Sequence, residues 1–233
     1  MAETLFVHPG KLHYLLREIF KRLRVPPKDA STIAAAVVAA DLAGADSQGV
    51  ARIPFYADRL SAGLVNPTPE IKVVQEAAAA ATIDGDNGPG PVVGARAMEL
   101  AIMKSGRNGV AAVAVRKSNQ LGMMGFYARM ALPEKMVGVV MTNDVPAMAP
   151  PGGSAPFHGV NPAAIAIPGQ EDSSPFVVDF TTREVDSGRQ QDEMGLAVEI
   201  LCGILSGGSF GPELAGPAAD DRDSGIGRGR HTQ

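Results

Sequence analysis

Of the 233 residues only one, Cys202, is a cysteine. A lone thiol cannot close an internal disulfide, so a reducing, intracellular compartment is expected. Cys202 lies in an apolar helical run, LAVEILCGIL, with no basic neighbour in sequence to favour a thiolate. It reads as a small core residue rather than a nucleophile. No uninterrupted apolar stretch approaches the ~18 residues of a membrane span. The opening MAETLFVHPGK has no basic region ahead of an apolar one, so no secretory leader is expected. Positive charge is also sparse: 21 Lys and Arg face 25 Asp and Glu, a net charge of −4. Because the basic residues are scattered, no stripe exists to bind nucleic acid. These absences together imply a cytoplasmic protein without a membrane or nucleic-acid partner. No internal repeat is present, and no metal site is assigned.

What remains is ordinary globular composition, 45% hydrophobic and 20% charged, long enough for one large domain or two small ones. The 27 glycines and 18 prolines are spaced out, as in a chain with many ordered turns. Lys11 to Arg24 reads as an amphipathic helix with Leu12, Leu15, Leu16, Ile19, Phe20 and Leu23 on one face. Pro26-Pro27 breaks it. Asp29 or Ser31 can cap a second helix running to Leu42, which Gly44 ends. In ADSQGVARIPFYADRLSAGL, Ser47 is a candidate N-cap for a third helix that tolerates Pro54 near its start and closes at Gly63.

Asn66-Pro67-Thr68-Pro69 forces an extended linker. Strands are expected at Ile71–Gln75 and Ala81–Asp84, ended by the turn-dense Gly85-Asp86-Asn87-Gly88-Pro89-Gly90. This cluster misses the GxGxxG spacing and lacks a following Gly-Lys-Ser/Thr, so a turn into the helix Val92–Met103 is preferred to a phosphate loop. Further strands are read at Val110–Val115, Val137–Thr142, Ala163–Ile167 and Phe176–Phe180, with a short helix through Ala131 and another at Met194–Leu205. Residues 143–162 form a long Pro/Gly loop of the kind that wraps a ligand. The domain reading is a helical section over 1–66, a sheet-containing section over 67–182, a short connection and helix over 183–214, and a polar tail over 215–233.

Two polar clusters carry the candidate chemistry. In VAVRKSNQLGMMGFYA an apolar strand feeds Arg116-Lys117-Ser118-Asn119-Gln120, and a helix follows Gly122 and Gly125. Loops at the carboxyl ends of strands are where α/β enzymes place reactive groups. The central side chain, Gln120, is an amide that hydrogen-bonds but cannot shuttle a proton. The second cluster is Ser47-Gln48-Gly49 with Arg52 and Tyr56. On a helix, positions 48, 52 and 56 share a face, and the Arg52 fork matches a carboxylate. On these residues alone the plainer reading, a solvated face with a cap, is preferred.

Together these stretches resemble the malate/L-lactate dehydrogenase family of non-Rossmann oxidoreductases, whose members act on malate, lactate, sulfolactate, ureidoglycolate and cyclic imino acids. The resemblance runs from Leu12 to Val178 and again over Gly195–Leu214. It rests on ADSQGVARIPFYADRL, IDGDNGPGPVVGARAMELAI, VAVRKSNQLGMMGFYA, VGVVMTNDVPAMAPPGG, GVNPAAIAIP and GLAVEILCGILSGGSFGPE. It implies an α/β (α+β) fold with a helical N-terminal section and a mixed sheet of the non-Rossmann, sulfolactate-dehydrogenase-like type. It further implies NAD or NADP lying across the sheet, a small 2-hydroxy or 2-oxo acid substrate, and a homodimer.

Position by position, Gln120 stands where the family has its acid/base histidine, and Gln48 stands for the histidine of a Ser-His-Gly triplet. Ser47, Arg52 and Tyr56 match substrate-binding positions. Asp144 matches a cofactor contact, and Asp179-Phe180-Thr181 matches a stretch lying on the dinucleotide. Between Thr182 and Gly195 a short hydrophilic segment replaces the family's longer one with its lysine- and glycine-rich turn, and the end from Ala215 departs as well. The four histidines, His8, His13, His158 and His231, do not occupy the vacated positions. Two readings follow: an oxidoreductase with impaired proton transfer, or a catalytically silent relative, nucleotide- or partner-binding, or truncated gene product.

Overall fold

The computed structural model describes residues 6–147, 149, 154–157, 159–170, 173–180 and 195–214. Thr181, His158, Met194 and the tail from Ala215 lie outside them.

Helices α1 (Pro9–Arg22), α2 (Pro27–Leu42) and α3 (Ile53–Ser61) form the N-terminal section. The α1 helix starts two residues before the expected Lys11 because the His8 imidazole accepts from the Gly10 N–H and Pro9 fits the first turn. Its inward face is narrower than the leucine count implies: Leu16 and Phe20 are buried, whereas Leu15 is 56% exposed. Neither Asp29 nor Ser31 caps α2. The cap position is Pro26, without a side-chain bond, and Pro27 begins the helix. The small alanines of α2 allow close approach to α1, giving a core of Leu16, Phe20, Val25, Ile33, Ala34 and Val37.

Strands β1 (Lys72–Glu76), β2 (Ala80–Gly88) and β3 (Ala112–Ser118) make one three-stranded sheet. β1 runs antiparallel to β2, and β3 parallel to it. A parallel pair needs a long crossover, supplied here by α4 (Gly90–Asn108), which ends on Gly109 in the left-handed conformation. The expected turn at Gly85–Gly90 is largely strand: β2 continues to Gly88, its register against β3 shifting between Asp84 and Gly88. Asp86 and Asn87 absorb that irregularity at positive φ.

Helix α5 (Met124–Ala128) and a 3-10 turn, Arg129–Glu134, lead to a second sheet of β4 (Gly138–Met141), β5 (Ala163–Ile167) and β6 (Phe176–Phe180). All its pairings are antiparallel. The α+β class holds, and the strands expected in one mixed sheet divide between a mixed sheet and an antiparallel one. Met141 and Phe180 both pair with Ala163. The end of β4, the start of β5 and the end of β6 therefore lie side by side. A last helical segment, α6 (residues 195–204), is wound as a π-helix over Ile200–Ile204. No helix among the described residues is long and apolar enough to cross a membrane.

The second sheet packs on α5 through Met124, Ala128, Ala164 and Ala166. A Cβ on Gly138 would lie 2.1 Å from the Ala128 carbonyl oxygen, so only glycine allows this approach. Gly138→Ala is expected to lower stability by about 1–3 kcal/mol in urea unfolding, the usual cost of overpacking. An unchanged midpoint would contradict the contact.

Candidate active site

The Ser47–Tyr56 stretch is not one helix. Two 3-10 turns, Asp46–Gln48 and Val50–Arg52, precede α3, and Arg52 rather than Ser47 holds the cap position. Positions 48, 52 and 56 therefore do not share one helical face. The turns are held by Asp41 at the end of α2, whose carboxylate oxygens accept from Val50 N–H at 3.1 and 3.2 Å. Gly49 is buried against it, and a Cβ there would lie 1.6 Å from the Asp41 carboxylate. Ser47 is exposed. Two buried polar atoms of this segment lack a hydrogen-bond partner: Gln48 Oε1, an acceptor, and Arg52 Nε, a donor.

Tyr56 projects from α3 with its ring edge-to-face on buried Phe20, 6.4 Å between centroids. Burial raises its phenol pKa, and the nearby Arg52 guanidinium pulls the other way. The phenol stays a neutral donor through the physiological range. Arg52 in turn stacks over Phe55, 5.1 Å from the ring centroid, which orients the guanidinium without consuming its donors.

The loop at 119–123 meets this face. Gln120 and Asn119 line a narrow recess with Phe55, Tyr56 and Arg59. A Cβ on Gly122, at φ +80°, would lie 3.2 Å from the Tyr56 hydroxyl. The loop backbone lies directly on the first residue of α4, where a Cβ on Gly90 would sit 2.1 Å from the Gln120 carbonyl oxygen. That packing, with Val92 and Val93 N–H groups both directed to the Pro89 carbonyl, fits the preference for a plain helix start over a phosphate cradle. Asn119, which the sequence reading passed over, is the clamp. Its amide donates to Asn87 O and Oδ1 at 2.9 Å and to Gly88 O at 3.0 Å, and accepts from Arg59 at 3.4 Å.

The positions expected from the sequence to contact a cofactor converge at one end of the second sheet, since Asp144 follows β4 and Asp179-Phe180 ends β6. Asp179 Oδ2 accepts from Gly125 N–H at 2.6 Å, tying this end to the start of α5 and so to the Gln120 loop. Asp144 Oδ1 accepts from Val145 N–H at 2.8 Å. Burial raises the Asp144 carboxyl pKa; the Val145 N–H and the Arg52 charge act against the rise, and Glu199 adds to it. Arg52 and Asp144 thus feel one another without a contact ion pair. Gln120, Tyr56, Arg52 and Asp144 are linked by these contacts and fields, while Gln48 stands in the adjoining turn.

Cys202 is half-buried rather than enclosed. Burial, with the Glu199 charge acting in the same direction, pushes its thiol up to about 11, which agrees with an inert role.

A three-helix section packed beside two small sheets defines an α+β protein. The chain belongs to the malate/L-lactate dehydrogenase family. That family's model, described as Malate/L-lactate dehydrogenase, matches residues 7–193. The chain is 40% identical over 196 residues to L-sulfolactate dehydrogenase of Methanocaldococcus jannaschii, covering 84% of this chain and 56% of that one. It is 42% identical over 183 residues to malate dehydrogenase of Pyrococcus horikoshii, covering 78% and 50%. The chain thus spans about half the length of the curated relatives it matches. Among solved structures, sulfolactate dehydrogenase from Methanocaldococcus jannaschii superposes with a TM-score of 0.86 at 33% identity, covering 92% of this chain and 73% of that one. Malate dehydrogenase from Pyrococcus horikoshii gives 0.85 at 34%, covering 93% and 74%.

The raised carboxyl of Asp144 has a consequence for stability. Between its ordinary pKa and the raised folded value the native state binds more protons than the unfolded one, so stability falls as pH rises through that window. Asp144→Asn is expected to raise the Tm at pH 7, with the gain over wild type vanishing below the ordinary aspartate range. A pH-independent difference would rule this out. Native Cys202 is expected to resist iodoacetamide at pH 7.5 and to react on unfolding in urea; rapid labelling of the folded chain would contradict the raised thiol.

Proposed function

We propose that this chain is an NAD- or NADP-dependent oxidoreductase interconverting a small 2-hydroxy acid and its 2-oxo acid, with slow proton transfer. The observation carrying this reading is the pair of buried polar atoms without partners, Arg52 Nε and Gln48 Oε1. Each such atom costs about 1–3 kcal/mol of desolvation when left unpaired. A hydroxy acid offers a carboxylate that accepts from Arg52 and a hydroxyl that donates to Gln48. The relatives' names, sulfolactate, malate and hydroxycarboxylate dehydrogenases, fall in the same substrate class.

In this reading Arg52 grips the carboxylate as a planar fork, and Tyr56 and Ser47 donate neutral hydrogen bonds. Gln120 hydrogen-bonds the reacting oxygen and orients it, but an amide cannot carry its proton. Asp144 is the nearby carboxyl that burial makes readier to hold one. The nicotinamide, when bound, supplies the hydride donor or acceptor. Asp144, Asp179 and Phe180 would hold the dinucleotide, together with Thr181. Carboxylates suit ribose hydroxyls rather than phosphates, and Asp179 already has one oxygen on Gly125 N–H. Residues 1–66 would then furnish the substrate side and 67–182 the cofactor side. The exposed apolar residues Leu196, Ile200, Leu201 and Ile204 of α6, with Leu205 just after it, support assembly as a homodimer.

A second reading, a catalytically silent relative that keeps only binding, is favoured by the two amides at the histidine positions. Loss of a positioned acid/base typically costs ~10²–10⁴-fold in rate. Fluorescence titration with NADH and NADPH, then turnover with malate, lactate and sulfolactate, separates the two: binding without turnover selects the silent relative. Gln48→His with Gln120→His is expected to raise turnover by about 10²-fold or more. A double variant that binds cofactor yet gains nothing would show that proton transfer is not the deficit.

A further inference from the structure

Behind Asp144 lies a buried polar chain that the proposed reaction does not use. Glu199 of α6 is 1% exposed and Asn161, two residues before β5, is 0% exposed. Asn161 has φ +39°, a conformation asparagine tolerates better than most residues. Its amide is fully engaged: Oδ1 accepts from Asp144 N–H at 3.0 Å, and Nδ2 donates to Gly195 O at 2.8 Å and Glu199 Oε2 at 3.0 Å. Glu199 Oε1 accepts from Gly211 N–H at 2.7 Å and from Asn143 Nδ2 at 3.5 Å. No Lys or Arg among the described residues pairs with Glu199. A carboxylate enclosed without a cation is costly unless its N–H donors are all in place. The network therefore has few alternative arrangements: turning the Asn161 amide over would set Oδ1 against both Glu199 and Gly195 O, and Nδ2 against Asp144 N–H.

We propose that Glu199, acting through Asn161, is a positioning residue for the acid-binding site, fixing the Asp144 backbone so that its carboxylate is held within the field of Arg52. The physical reason is directional. Glu199 accepts only, so it dictates which end of the Asn161 amide faces it, and that choice presents the acceptor end to Asp144 N–H. The α6 segment, distant in sequence from both polar clusters, is thereby wired to the site wall. The assignment rests on the oxidoreductase reading above, in which Arg52 grips the organic acid and Asp144 lies beside it on the cofactor side.

The test is a charge-transposition rescue in the full chain. Asn161→Asp sets two carboxylates against each other; combining it with Glu199→Gln restores one carboxylate and one donor, displaced by one residue. Affinity for oxamate, an unreactive 2-oxo acid isostere, is measured calorimetrically with saturating NADH, well below each variant's Tm. N161D is expected to bind oxamate about tenfold more weakly and the N161D/E199Q pair to return to within about threefold of wild type. Recovery stays incomplete because Gly195 O loses its donor. Val198→Ala, which removes buried packing from the same helix and no polar group of the network, controls for stability and is expected to leave oxamate affinity unchanged.

Failure of the double variant to improve on N161D overturns the positioning role, as does an equal loss of affinity in V198A. If wild type with NADH binds no oxamate, the oxidoreductase reading itself falls, and the role assigned to Glu199 with it. Wild-type binding with no rescue removes this inference alone.

Discussion

The close approach of the Asn119-Gln120 backbone to Gly90 is the contact on which the rest of the site depends. A residue with any side chain at Gly90 would hold the loop away from α4, because the carbonyl oxygen of Gln120 lies 2.1 Å from where a Cβ would be. Hydrogen bonds from Asn119 to the end of β2 then lock the loop from the other side. With the loop so placed, Gly122 comes under the Tyr56 hydroxyl, and Gly125 meets the Asp179 carboxylate of the second sheet. One backbone contact thus sets the relation between the helical section, the first sheet and the second. It needs a missing side chain rather than a strong bond, and its strength comes from the excluded alternatives.

Electrostatics around that contact combine guanidinium charge with neutral amides, a phenol and a buried carboxyl. Arg52 is the cation, stacked and partly sheltered, with a buried donor still seeking an acceptor. Tyr56 and the two glutamines are neutral. Asp144 is held between the opposing influences of Arg52 and Glu199, with its own burial the larger effect on its ionisation. In the proposed reading such a pocket would distinguish an organic acid from a neutral molecule through a partly desolvated guanidinium, where charge-assisted bonds are strongest. The amides at 48 and 120 can hydrogen-bond but cannot carry a proton.

Much of the fold was legible along the chain because it rests on local signals. The strands Ala163–Ile167 and Phe176–Phe180 match their apolar runs residue for residue, and Gly44 and Gly63 stand at positive φ just past their helices as their positions indicate. The misreadings share a cause. Periodicity places Leu15 with the inward residues of α1, yet it is exposed, because periodicity does not say how wide the facing surface is. Ser47 was read as a cap and positions 48, 52 and 56 as one helical stripe, because nothing local reveals that Asp41 of α2 draws this segment into two 3-10 turns. The glycine cluster after Asp84 looked like a turn, yet pairing with β3 keeps most of it in a strand.

The sequence by itself determined the family, the helical section followed by strands, and the presence of amides at 48 and 120, since these depend on residue identity and order. Only the tertiary structure decided which polar groups meet. Asn119 against Asn87, Asp179 against Gly125, and Glu199 through Asn161 to Asp144 join positions 32, 54, 38 and 17 residues apart. A polar side chain inside a protein takes its meaning from the partner that satisfies it, and a partner at that separation is chosen by how the sheets and helices pack.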